Sequence, residues 1–346
     1  MMIIGCDFHP SWQQVAWLDT ETGETGERKL VHAGGEAKVF YQQLAEPVLV
    51  GMEATGNSQW FIEMVEDLGH VILIGDAAQI RASYVRKQKT DKRDAAHILK
   101  LVVENRFPRL WTPNREQRDL RQLLLHRHKL VEIRSRVKNE LQHLSMNKGM
   151  QKKRTLWSQA GMQMLRELPL KPWASCRRED LLGVLAMLDE QVGKLDKAVE
   201  QAAEENPQAK LLMTQPGVGP NTALGFVLTI GEVSRFPRGK QVASYLGLIP
   251  REESSGGRQK LGAITKQGNR MVRSLLVEAA QTAVRYDPGY RKQYLHRCHC
   301  KPKGVAKVAA ARKLAVRLYW MLRTQVGYPE IVRIESSPRV ALVGAS

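Results

Sequence analysis

Four carboxylates stand in the first hundred residues at positions where a fold can gather them. Asp7 follows the apolar run Met2-Ile3-Ile4-Gly5-Cys6, and Glu53 follows Val48-Leu49-Val50-Gly51-Met52. Asp91 and Asp94 are three apart at the start of an amphipathic stretch, so they share one helix face. Strand ends and a helix face are the places from which distant acids can converge. Converged acids repel, and a divalent cation offsets the repulsion; an all-oxygen donor set suits Mg²⁺ or Mn²⁺. Two such ions about 3.5–4 Å apart would stabilise both the attacking and the leaving oxygen of a phosphodiester. Against this stands the plainer reading of each acid as a cap or surface charge. Asp91 follows Thr90 at a helix start, and either could be an ordinary N-cap.

Two further segments could meet phosphate. Pro216-Gly217-Val218-Gly219-Pro220 lies between apolar stretches at about 208–214 and 221–231. This is the pattern of a helix-hairpin-helix, in which Gly217 and Gly219 let backbone N–H groups approach a phosphate and the next helix N-terminus adds its dipole. An ordinary helix–helix turn has the same composition. The second segment runs from Leu246 through Arg251-Glu252-Glu253-Ser254-Ser255-Gly256-Gly257-Arg258 to Lys266-Gln267-Gly268-Asn269-Arg270. It reads as a flexible polar loop beside an anion site. A serine alkoxide attacks phosphorus once a base or metal lowers the effective pKa of its hydroxyl. Arg251, Arg258, Lys266, Arg270 and Arg273 are placed to neutralise phosphate charge. Neither a Walker-type phosphate loop nor a Gly-x-Ser-x-Gly elbow occurs, which leaves nucleotide hydrolysis and esterase chemistry without support.

The elements that must position these groups follow from periodicity. Residues 2–8, 13–19 and about 27–32 read as a three-strand meander, then a helix over 35–45, a strand over 47–52, a helix over 57–68 and a strand at 71–74. That order is the RNase H-like one: a mixed sheet with flanking helices. From about 115 the chain turns helical, and residues 115–154 carry 12 Lys/Arg against 4 Asp/Glu. Leu181, Leu185, Leu188, Val192, Leu195, Val199 and Ala202 make a heptad seam, either one side of an antiparallel pair within the chain or a self-associating coiled coil. Asn206-Pro207 opens a third region. The domains expected are 1–112, a catalytic α/β domain; 113–205, a basic helical and coiled-coil region; 206–326, a mainly α-helical domain with the helix-hairpin-helix-like element and the serine loop; and 327–346, a flexible tail.

Composition narrows the class of partner. The 346 residues carry a net charge of +18, which makes a nucleic acid the first candidate. No apolar run reaches the roughly 18 residues of a membrane span, and no leader pattern is expected. Four cysteines in so long a chain suggest a reducing compartment, hence the cytoplasm, with nucleoid association on DNA. His296, Cys298, His299 and Cys300 lack a second ligand pair at zinc-like spacing, so no zinc site is expected.

Together the strings Gly5-Cys6-Asp7, Met52-Glu53-Ala54-Thr55-Gly56, Lys89-Thr90-Asp91-Lys92-Arg93-Asp94-Ala95, Pro216-Gly217-Val218-Gly219, Tyr245-Leu246-Gly247-Leu248-Ile249-Pro250-Arg251, Ser255-Gly256-Gly257 and Lys266-Gln267-Gly268-Asn269-Arg270 resemble the DEDD transposases of bacterial insertion sequences. These are recombinases guided by a structured bridge RNA, and the resemblance runs from about residue 2 to about 325. It implies a RuvC-like N-terminal domain with Asp7, Glu53, Asp91 and Asp94 as Mg²⁺ ligands. It implies a serine nucleophile that falls on Ser255, ahead of Gly256, with neighbouring Ser254 the second choice. It also implies a covalent phosphoserine intermediate, DNA substrates for donor and target, a non-coding bridge RNA, and a homo-oligomer in which acids of one subunit meet the serine of another. Two other readings remain at this stage: a RuvC-like nuclease or resolvase that uses water, and a non-catalytic DNA/RNA-binding protein with structural acids.

Overall fold

The structure is a computed structural model that describes residues 1–84, 90–150, 155–254, 258 and 260–336. It divides into two compact units, Met1–Thr112 and Pro113–Ser346.

The first unit is a mixed five-stranded sheet with helices on both faces. Its strands are β1 (Met2–Phe8), β2 (Trp12–Asp19), β3 (Thr25–Val31), β4 (Leu49–Glu53) and β5 (Val71–Gly75), in the order β3-β2-β1-β4-β5. The first three form the antiparallel meander, while β4 and β5 run parallel to β1. Helices α1 (Glu36–Gln42) and α2 (Gln59–Asp67) cover one face, where Ile4, Cys6, Val50 and Met52 meet Tyr41, Phe61 and Val65. After α3 (Ala77–Ala82), α4 (Asp91–Val103) covers the other face.

Glycines decide how closely α4 approaches. Side chains alternate along a strand, so Gly5 and Asp7 share the α4 face of β1, and Gly51 and Glu53 share that of β4. A Cβ on Gly5 would stand 2.3 Å from the Ala95 carbonyl oxygen and 2.4 Å from the Leu99 nitrogen. One on Gly51 would stand 2.6 Å from a Val102 methyl. Only bare backbone lets the helix lie this close. Each acid therefore sits two residues beyond the glycine that admits α4.

Among its described residues the second unit is helical apart from one small hairpin. Two long helices, α5 (Arg115–Met146) and α7 (Pro172–Glu205), flank the short α6 (Gln159–Arg166). Arg127 pairs with Asp196 at 2.8 Å, Arg134 with Asp189 at 3.1 Å and Arg177 with Glu140 at 2.8 Å, the order of an antiparallel pair. Leu185 and Leu188 are buried with Val137, Leu141 and Leu144 of α5. The first part of the heptad seam thus packs on α5, while Val199 and Ala202 join the core of the helices that follow.

Next come α8 (Pro207–Met213), α9 (Pro220–Ile230), α10 (Gly239–Tyr245), strands β6 (Pro250–Glu252) and β7 (Leu261–Ile264), then α11 (Arg270–Tyr286), α12 (Pro288–Cys300), α13 (Lys303–Thr324) and α14 (Tyr328–Ser336). Helix α9 is buried almost throughout and forms the centre of the core with α11 and α13. A buried ion pair joins the N-cap of α12 to α13, Asp287–Arg317 at 2.8 Å, with both side chains 5% exposed or less. The tail expectation is corrected over Tyr328–Ser336, which is helical. Ile331 is 2% exposed in the core, and Pro329 stands in the first turn, where its missing N–H costs nothing. Residues 337–346 lie outside the described residues.

Candidate metal centre and serine hairpin

The sheet register brings the first two acids side by side. Cys6 pairs with Met52 across the parallel β1–β4 ladder, so Asp7 and Glu53 follow at the same level on adjacent strands, spaced about 4.8 Å apart. Helix α4 delivers the other two. Thr90 is its N-cap, with Oγ1 accepting from the Arg93 N–H at 3.4 Å, so Asp91 is released from capping. Asp91 is half exposed, whereas Asp94, one turn in, is 5% exposed. Both carboxylates also gain from the positive end of the helix.

Two groups that the sequence reading passed over complete the cluster. His9 lies with Nε2 3.2 Å from Asp7 Oδ2 and 3.8 Å from Asp91 Oδ1. Asp7, His9 and Asp91 are the one group of metal-sized spacing among the described residues, their ligand atoms all within 4.8 Å. Period-2 alternation from Asp7 was the signal that could have found His9. Tyr84 donates from its hydroxyl to Asp94 Oδ1 at 2.6 Å, and its ring stacks on His97 at 4.1 Å. Nothing local in the sequence marks Tyr84.

Electrostatics tie the cluster together. Burial raises the Asp7 carboxyl above the ordinary carboxylate range; His9 opposes the rise, and Asp94 and Asp91 add to it. The Tyr84 hydroxyl is pushed far above its ordinary value by burial, by its bond to Asp94 and by the charges of Asp94, Asp7 and Glu53. Burial, with carboxylate repulsion added to it and oxygen donors at helix and strand ends, is the environment a hard divalent cation relieves. The donor set fits Mg²⁺ or Mn²⁺.

In the second unit, the expected polar loop is a hairpin. Pro250 pairs with Ile264 and Glu252 with Leu261. Ser254 follows β6, and its hydroxyl donates to Glu252 Oε1 at 2.7 Å and accepts from the Lys260 N–H at 3.2 Å. Ser255, Gly256 and Gly257 lie outside the described residues. Arg251, Arg258, Lys266 and Arg270 are exposed, and Arg270 reaches Glu132 at 3.9 Å. Arg273, expected to face phosphate, instead binds the carbonyl oxygens of Leu246 and Gly268, each at 3.2 Å, and that of Gln267. It staples the base of the hairpin. Gly247 and Gly268 interlock there: a Cβ on Gly247 would stand 2.2 Å from the Gln267 oxygen, and one on Gly268 2.0 Å from the Tyr245 oxygen.

The Pro216–Pro220 turn divides its glycines between two tasks. Gly217 has φ +88°, and a Cβ there would stand 2.5 Å from the Ala279 carbonyl oxygen of α11, so its bareness serves internal packing. Gly219 is the exposed N-cap of α9 with open space around it.

Comparisons with known proteins identify the family. Residues 4–145 match the DEDD family of IS110-type elements, described as "Transposase", and residues 209–295 match the "Transposase IS116/IS110/IS902 family". These matches define the protein as a DNA transposase, an enzyme of DNA recombination. The chain belongs to the DEDD transposases of the IS110/IS116/IS902 type. A "Probable family 20 transposase" of Pseudomonas aeruginosa is 29% identical over 92% of this chain and 96% of its own length. The transposase of insertion sequence element IS1111A of Coxiella burnetii is 26% identical over 94% and 91%. The "Pilin gene-inverting protein" of Moraxella bovis is 28% identical over 68% and 67%. No helix among the described residues is long and apolar enough to cross a membrane.

Proposed function

We propose that the protein cuts and rejoins DNA at the ends of an insertion sequence by transesterification at Ser255, aided by a divalent ion held by Asp7, Glu53, Asp91 and Asp94. The observation that supports this reading is the approach of Asp91, on α4, to Asp7, at the end of β1, with Glu53 one residue beyond the paired Met52 and the charge of Asp94 felt at Asp7, in a sheet whose strand order supports an RNase H/RuvC-like assignment. Mg²⁺ or Mn²⁺ bound there would supply positive charge to the phosphate.

The chain's own residues do the rest. The Ser255 oxygen forms a bond to phosphorus as the bond from phosphorus to a deoxyribose oxygen breaks. The serine proton passes to a base, and the released oxygen takes up a proton. One phosphodiester replaces another, so rejoining by a free deoxyribose hydroxyl reverses the step with no external energy source. Arg251, Arg258, Lys266 and Arg270 supply countercharge around the hairpin. Ser254 is the weaker candidate because its hydroxyl is occupied, with its proton on Glu252 and its lone pair taking the Lys260 N–H. Gly219, at the open α9 N-terminus, is offered to a phosphate, and a bridge RNA supplies the pairing that selects DNA.

The water-dependent nuclease reading accounts for the acids equally well. The relative named for inverting a pilin gene favours the recombinase, since an inverted gene requires cut strands to be rejoined.

The test is a denaturation-resistant protein–DNA adduct formed with element-end DNA, Mg²⁺ and RNA from the element's non-coding flank. Ser255→Ala should abolish the adduct and Ser254→Ala should retain it. Asp7→Asn should stop strand cleavage while DNA binding persists, and ribonuclease treatment should stop it in the wild type. Cleavage without any adduct would establish the nuclease instead.

A further inference from the structure

We infer that His9 is a nitrogen ligand of the metal centre and biases it towards Mn²⁺ over Mg²⁺. The inference deepens the reading just given and rests on it. Its basis is the position of one ring nitrogen between two carboxylates from different elements. His9 Nε2 lies 3.2 Å from Asp7 Oδ2, on β1, and 3.8 Å from Asp91 Oδ1, on α4. The second distance is too long for a hydrogen bond. Two ligands each about 2.1 Å from one ion can stand as much as about 4.2 Å apart, so both distances fit a shared ion. His9 Nε2 is thus within hydrogen-bond distance of Asp7 but not of Asp91, and the three ligand atoms all lie within 4.8 Å of one another, room for one ion between them.

The ring is held in that orientation from behind. The His9 N–H donates to the Trp12 carbonyl at 2.9 Å and closes the β1–β2 turn. The imidazole stacks on Trp12, with centroids 4.1 Å apart and planes at 26°. The Lys29 ammonium lies 4.1 Å from the Trp12 ring centroid. These contacts make Trp12 the residue that aims Nε2 at the acids. Imidazole suits the transition metals, whereas Mg²⁺ prefers oxygen, so the nitrogen selects Mn²⁺ while the four carboxylates still accept Mg²⁺.

The test uses the full chain and Mn²⁺. Pulsed electron paramagnetic resonance of the bound ion should show coupling to one imidazole ¹⁴N, lost in both His9→Ala and His9→Gln. Calorimetry should show Mn²⁺ Kd rising about 10- to 100-fold in those variants. Mg²⁺ Kd, measured by competition, should change by less than about threefold. Trp12→Leu should give a smaller Mn²⁺ loss in the same direction. Mn²⁺ bound by the wild type without ¹⁴N coupling, or equal losses for both ions, would overturn the role of His9 and leave the carboxylate centre standing. Mn²⁺ binding that is undetectable, or indifferent to Asp7→Asn, would overturn the metal centre itself.

Discussion

Replacing Gly5 by alanine perturbs the acid cluster without touching an acid. The added Cβ would lie 2.3 Å from the Ala95 oxygen and 2.4 Å from the Leu99 nitrogen, both backbone atoms of α4 that cannot swing aside. Real Cβ contacts do not fall under 3.0 Å, so the helix must retreat by about 0.7 Å near Ala95, next to Asp94. Metal ligands tolerate about 0.2 Å. The expected cost is roughly 1–3 kcal/mol of stability from overpacking. Strand cleavage should fall on the order of 100-fold, as for a displacement near 1 Å at a reacting centre. Gly51→Ala provides the internal comparison. Its nearest contacts are side-chain methyl groups, Val102 Cγ2 at 2.6 Å and Ile98 Cγ2 at 3.3 Å, so the strain falls on side chains before it reaches the helix backbone. It should cost less stability than Gly5→Ala and leave more of the cleavage intact. Thermal denaturation, Mn²⁺ calorimetry and a strand-cleavage assay on the two variants decide the matter. Wild-type cleavage in Gly5→Ala, or a larger loss in Gly51→Ala, would refute the claim that α4 backbone contact sets the geometry of the acids.

Other expected outcomes follow from single contacts. Tyr84→Phe removes the 2.6 Å hydrogen bond to Asp94, so the Mg²⁺ concentration for half-maximal cleavage should rise about 10-fold or more, read from a metal titration. Asp287→Asn leaves Arg317 buried without its counter-ion and should destabilise the second unit by about 3–5 kcal/mol in urea denaturation. Burial pushes the Asp287 carboxyl up, but the Tyr290 N–H and Arg317 outweigh it and hold the group below its ordinary value. Its contribution is therefore complete above about pH 4 and is lost as pH falls through the lower folded-state value, a drop that Asp287→Asn should lack. Gly183→Ala, on the exposed side of α7 with nothing within 4 Å of the new Cβ, should stabilise by about 1 kcal/mol on thermal denaturation.

The sequence by itself determined the five strands of the first unit, its helices α1, α2 and α4 though not the short α3, and the four acids at their ends. Period-2 and period-3.6 patterning and apolar runs are local signals, and the strand-end acids stand out against them. It also marked the helix-breaking Asn206-Pro207 and the seam of α7. Tertiary structure decided what the seam meets, because only packing shows that α5 supplies its partner. It turned the polar loop into the β6–β7 hairpin, since that pairing rests on the Gly247–Gly268 interlock and the Arg273 staple, contacts that join the two ends of the loop. It also made a helix of Tyr328–Ser336, because Ile331 had a core to enter. At the metal centre, the acids were legible but their company was not. His9 and Tyr84 join them only when the β1–β2 turn and the close approach of α4 to Gly5 bring side chains from separate elements within hydrogen-bond range. Residue types fixed which groups could bind a metal, and the tight packing of a helix on a bare strand fixed which of them meet.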